Sequence, residues 1–238
     1  MNSNFGNSLA GNSAAGALTG AAANALLQKV FTIMAIGLAL TGVTAYGFSG
    51  YLAENLQILM GPAQWLLMLA PFAFVLVLSF GINRMSYLTA TLVFGLYAVT
   101  MGLSLSFIFL IYTATSIATT FFITAGMFGA MVLYGITTKA DLTKLGSIMM
   151  MALFGIIIAS LVNWFVGSPL MSYIISIVTV LVFAGLTAYD TQKILAMGQV
   201  IDADSETGGK VAIIGALELY LDFINMFLAL LRLFGDRK

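Results

Sequence analysis

Seven apolar runs divide the chain, each about as long as a helix needs to cross a hydrocarbon layer. They cover residues 30–48, 64–83, 87–111, 117–137, 146–166, 172–197 and 211–234, with short polar connectors between them. None is built of alternating segments of about ten residues, the mark of a membrane-spanning barrel, so each run predicts a helix. Short connectors make successive helices antiparallel neighbours in one bundle. The expected fold class is all-α and integral to the membrane, a seven-transmembrane-helix bundle over residues 29–238. Residues 1–28 carry no charged side chain and are rich in Gly, Ala, Asn and Ser, which predicts a flexible cytoplasmic tail turning helical towards Lys29. The stretch lacks the basic start of a signal peptide. Gly126, Gly129 and Ala130 in the fourth run predict close helix packing there.

Composition supports the membrane assignment and narrows the chemistry. The chain is 61% hydrophobic and 8% charged, where soluble domains carry about 25% charged residues, so too little polar surface remains to cover a soluble particle. Histidine and cysteine are both absent. That removes disulfides, thiolate chemistry and imidazole relays. A bound metal must be a hard cation held by oxygen, and proton chemistry must use carboxylates, tyrosines or lysines. No Gly-rich phosphate loop or Ser/His/Asp set occurs, so the protein is not expected to be an enzyme, to hold a tight cofactor or to bind nucleic acid.

Charge in the connectors gives orientation. Lys29, Arg84, Lys139, Lys144, Lys193 and Lys210 fall on one side of a seven-span layout, and the connectors near 49–63, 112–116 and 167–171 have no cation. The bias puts the amino terminus in the cytoplasm. "RLFGDRK" at residues 232–238 then lies on the opposite side with three cations, a tension that re-entry of the last run would relieve. The length of residues 211–234 favours a full crossing.

Helical periodicity points at two stripes. At about 100° per residue, Glu218, Asp222, Asn225, Ala229 and Arg232 share one face of the last run, and Ser172, Ser176, Thr179, Phe183 and Asp190 share one face of the sixth. Charged groups facing lipid are too costly, so these stripes must meet protein or water. The last helix is therefore expected to be central. Asp190 and Asp222 fall at similar depth near the basic-loop end. If they meet, they titrate as a unit that holds one proton between them. Arg84, in "FGINRMS" at the same end of the second run, is the candidate cation for the pair. The alternative is a purely structural role in fixing helix packing. Asp202, Asp204 and Glu206 in "IDADSETGGK" lack the EF-hand spacing and are expected to form a solvated loop.

"GLTAYDTQKI" at 185–194 and "LYLDFINMFLALLRLFG" at 219–235 closely resemble the two signature stretches of the Bax-inhibitor family, nearest to its bacterial branch. The resemblance spans residues 29–238. It implies six helices around a central seventh and a pH-sensitive calcium leak in the bacterial inner membrane. It also implies that Asp190 and Asp222 form a di-aspartyl proton sensor, with Arg84 exchanging between them and the gate; as a hard cation takes oxygen ligands, the two aspartates are also expected to offer Ca²⁺ a weak contact. Glu218 and Asn225, on the same stripe as Asp222, are expected to line the ion path. Calcium would be the transported ion and protons the regulator. The resemblance further implies a membrane-anchored AAA protease as a partner, with the protein as substrate or modulator. Proton-coupled transport through the same aspartates is the other alternative.

Overall fold

Four of the connectors end in a hydroxyl residue, and each of those hydroxyls opens a helix. Ser86 accepts from the Thr89 N–H, Thr113 from Ser116, Ser168 from Met171 and Ser205 from Gly208. Each meets one of the N–H groups that a first turn leaves unpaired. Ahead of the fifth span Asp141 accepts from the Thr143 N–H. Side-chain and backbone hydrogen bonds from Thr143 hold its carboxyl below the ordinary carboxylate range.

The computed structural model describes residues 3–238. Its helices are α1 (Ser3–Glu54), α2 (Pro62–Gly81), α3 (Tyr87–Leu105), the single turn α4 (Ile108–Ile111), α5 (Ala114–Thr137), α6 (Thr143–Val166), α7 (Pro169–Gly198) and α8 (Glu206–Phe234). With α4 taken as the continuation of α3, seven helices among the described residues are long and apolar enough to cross a membrane. Four of them begin three to five residues before the expected runs, at Ala114, Thr143, Pro169 and Glu206. Thr113, Ser168 and Ser205 cap three of them, so capping rather than hydropathy sets where those three start. Pro62 and Pro169 stand at helix starts, where the missing N–H costs nothing. Gly167, at φ 67°, ends α6 in the left-handed conformation that favours glycine.

The last helix is central, as its stripe requires. In its most apolar stretch 67% of residues are buried, against 50% in α7 and 6–39% in the other five. It packs on α7, α1, α5 and α3. Tyr220 stands at the heart of the core, edge-on to Tyr97 and Phe94, with its hydroxyl 2.7 Å from Thr41 Oγ1. Thr41 in turn donates to the Ala98 carbonyl. On another face Phe223 packs edge-on to Phe121 and Phe128.

The helix also runs the full length of the bundle. Beyond Phe234 the chain is tied to the α4–α5 connection. Thr113 N donates to the Asp236 carbonyl, Asp236 N to Ser116 Oγ and Lys238 N to the Ile111 carbonyl. Its start lies beside the basic connectors, where Lys29 Nζ donates to the Ala203 carbonyl. The last run therefore crosses from the basic-loop end to the opposite end.

Two expectations change. The tail is shorter than residues 1–28, because α1 is continuous through this stretch and Ala23, Leu26 and Leu27 are buried. A Cβ on Gly198 of α7 would meet the Ala23 Cα at 2.7 Å. Ala23, a small residue in a stretch that resembles a linker by composition, is where α1 approaches α7. Residues 1 and 2 of the expected tail lie outside the described residues. In the fourth span Gly126 and Gly129 face open space and Ala130 is exposed, so they do not make the close packing expected of them. Gly135 does, since a Cβ there would meet the Ala188 carbonyl oxygen at 2.5 Å.

The contrast gives a stability test. Gly135→Ala drives a methyl into backbone and should destabilise the bundle by about 1–3 kcal/mol. Gly126→Ala has room and gains helix propensity. Thermal unfolding in detergent should fall for the first and hold or rise for the second. Equal melting temperatures would contradict the packing described.

Candidate functional site

Two glycines fix the segment that carries Asp190. Gly135 of α5 receives the α7 backbone at Ala188 and the side chain of Thr191, and Gly146 of α6 receives the Tyr189 ring. Gln192 ties the same turn to the α5–α6 connector, accepting from the Leu142 N–H and donating to the Ala140 carbonyl. Asp222 is positioned from α8, whose neighbouring Tyr220 and Phe223 are held in the core described above.

These elements bring both aspartates onto one cavity of 780 Å³ between α2, α6, α7 and α8. The α8 stripe of Glu218, Asp222, Asn225, Ala229 and Arg232 lines it, and α7 contributes Thr179, Phe183, Asp190 and Lys193. Asp222 is 3% exposed and Asp190 9%. Lys193 Nζ donates to Glu218 Oε1 at 2.6 Å and lies 3.9 Å from Asp190 Oδ1. The second oxygens, Asp222 Oδ2 and Glu218 Oε2, are buried without a hydrogen-bond partner, so they remain available to a proton or a cation. At the far end the α2–α6 gap is spanned by Trp65 and Trp164, whose ring centroids are 6.3 Å apart.

The cavity continues towards that far end. It shares Ser160, Ile175, Leu228 and Arg232 with a second cavity of 870 Å³, which adds Asn163, Ser172 and Arg237. Hydroxyls from the expected α7 stripe therefore divide between the two, with Thr179 in the first and Ser172 and Ser176 in the second.

The expected site residues separate into two groups. Asp190, Asp222, Glu218 and Asn225 come together in one cavity. Arg84 does not join them. It is exposed, in a 3₁₀ turn that follows α2, and forms no ion pair among the described residues. The cation among the carboxylates is Lys193, which sequence reasoning used only as a marker of orientation. Its signal was in the sequence: Lys193 follows Asp190 by three residues, and such pairs share a helix face. Arg232 is exposed and borders both cavities. Among the described residues no three acidic side chains converge closely enough to hold a metal ion. The Asp202–Glu206 stretch is a turn leading into α8, with Asp202 accepting from the Asp204 N–H.

A family model described as "Inhibitor of apoptosis-promoting Bax1" matches residues 23–238. The chain belongs to the Bax-inhibitor family. The match begins at Ala23, the first of the buried α1 residues named above. Over 215 residues, 89% of this chain and 92% of the relative, it is 47% identical to the inner membrane protein YbhL of Escherichia coli K12. It is 46% identical over 216 residues to an uncharacterized protein of Borreliella burgdorferi, covering 90% and 93% of the two chains. An uncharacterized membrane protein of Streptococcus pyogenes is 37% identical over 214 residues, 89% and 93% of the two chains. Membership of this family, together with seven apolar helices, makes the chain an integral membrane protein.

The absence of native cysteine makes the cavity directly testable. Cysteines introduced at Asn225 and Thr179 should react with a small charged thiol reagent. Cysteines at Leu219 and Met226, which are fully buried on the packed faces, should stay unreactive in the folded protein. Equal reactivity at the four positions would mean that the α8 stripe does not face a wet cavity.

Proposed function

We propose that the protein is a proton-sensitive leak for calcium ions in a bacterial inner membrane, with Asp190 and Asp222 as the sensing pair and the amino terminus in the cytoplasm. The observation that carries this reading is one cavity lined by both aspartates and Glu218, contiguous with a second cavity at the far end of the bundle. Two carboxylates in one apolar-walled space disfavour double ionisation and share a proton. While it is held, the pair presents one negative charge, and α7 and α8 stay together. When it leaves, two like charges face each other, and the cavity becomes more attractive to a cation.

Calcium takes about six to eight oxygens. Asp190 and Asp222 with Glu218, Asn225 and water offer such a set loosely, and the lack of a tight three-carboxylate group suits an ion that must leave again. Arg84 stands at the end where an ion would emerge, and an exchange between it and the aspartates requires movement of the α2 end. The excess of Lys and Arg near the connectors at that end supports the cytoplasmic orientation, against the three cations of residues 232–238 at the other.

The test is calcium flux into liposomes holding the pure protein at pH 6 and pH 8. Asparagine stands for the protonated carboxyl. Wild type should pass several-fold more calcium at pH 8, and Asp190→Asn and Asp222→Asn should each keep the low flux at both pH values. Flux no greater than in empty liposomes, under all conditions, would sink the leak.

A further inference from the structure

Three cavities meet at Lys193. One is the acidic cavity. Another, of 380 Å³, lies at the basic-loop end among Asn83, Thr207 and Lys210. A third, of 600 Å³, lies at the same end beside Lys139, Asp141 and Gln192. The 380 Å³ cavity and the acidic cavity have only two lining residues in common, Lys193 and Glu218. The 600 Å³ cavity and the acidic cavity share only Tyr189 and Lys193. Lys193 alone borders all three.

We infer that the Lys193 ammonium, bonded to Glu218, is a tethered plug between the acidic cavity and the basic-loop face, and that a permeating divalent cation must displace it from the carboxylates. The inference rests on the proposed ion path and names the residue that closes it. The ammonium occupies the space between Glu218 and Asp190, at 2.6 and 3.9 Å from their oxygens. A second cation cannot use those oxygens while it stays. A divalent ion draws twice the Coulomb attraction at the same distance, so it can compete where a sodium ion competes poorly.

Displacement needs no helix movement. The α7 backbone here is clamped by Gly135, Gly146 and the two Gln192 hydrogen bonds. The lysine stem is flexible, its side chain is 35% exposed, and the 600 Å³ cavity gives it room to retreat. The charged groups around it are Glu218 from α8, Asp190 from its own helix, Lys210 across the 380 Å³ cavity, and Lys139 and Asp141 across the 600 Å³ cavity. Asp222 lines the acidic cavity beyond. A staple that merely joins α7 to α8 would use the same ion pair, so the test must read passage and not stability.

The test places one cysteine at Asn225 and reconstitutes the protein in vesicles of defined orientation. A membrane-impermeant thiol reagent is then added on the basic-loop side. Lys193→Gln should raise the labelling rate at least roughly fivefold, the change that about 1 kcal/mol of ion pairing gives. Lys193→Arg, which keeps the charge and the donors, should stay near the parent rate. An unchanged rate in Lys193→Gln overturns the plug. If that variant does not fold, Glu218→Gln makes the same decision, with a smaller rise expected because Lys193 keeps its contact with Asp190. Calcium flux is measured in parallel. Labelling that rises while no variant passes calcium would reject the leak and leave the plug standing.

Discussion

An ionisable side chain at bilayer depth must be met by protein or water, because hydrocarbon offers it nothing. Asp222, on the most buried helix of the bundle, imposes that requirement on everything around it. Its stripe of Glu218, Asn225 and Arg232 needs a lined cavity on one face, and the apolar residues between them need close packing on the others. Tyr220 and Phe223 satisfy the second need by locking α8 to α1, α3 and α5. The cavity between α2, α6, α7 and α8 satisfies the first. The central position of the last helix follows from its own charge pattern.

Charge is sorted along the axis of this helix. The carboxylates Glu218 and Asp222 lie towards the basic-loop end with Lys193, and Arg232 and Arg237 lie at the other end in the second cavity. The tied-down end of the chain, bonded to the α4–α5 connection, shows how three cations stand against the general charge bias. Their segment is held by backbone hydrogen bonds, and the helix before it is long enough to cross. Lys193 reconciles the acidic cluster with its apolar surroundings by supplying a counter-charge from within the bundle. The same contact that lowers the cost of burial would, under the proposed function, also stand in the ion's way.

Much of this is legible in the sequence. Seven runs gave seven spanning helices, and the stripe arithmetic on the sixth and seventh runs placed Asp190, Asp222, Glu218 and Asn225 on one cavity. Periodicity succeeds there because a helix fixes the face of each residue. It failed at Arg84, where the relevant question was distance across the bundle and one residue's place in a short turn decided the answer. Lys193 was hidden by being counted as a connector cation, although it lies within the long helix α7. Glycine roles were not legible either, since Gly126 and Gly135 share one helix and differ only in what stands opposite. The α1 tail misled through composition, as a small residue that reads as linker, Ala23, is buried where α1 meets α7 at Gly198.

The central claim is that Asp190 and Asp222 hold one proton between them. Infrared difference spectroscopy of the reconstituted protein between pH 6 and pH 8 reads that proton directly, through the carbonyl stretch of a protonated carboxylic acid. One such band should disappear as pH rises, be absent from an Asp190→Asn, Asp222→Asn double variant and survive in Glu218→Gln. A band that persists unchanged in the double variant would assign the proton to another group and contradict the claim.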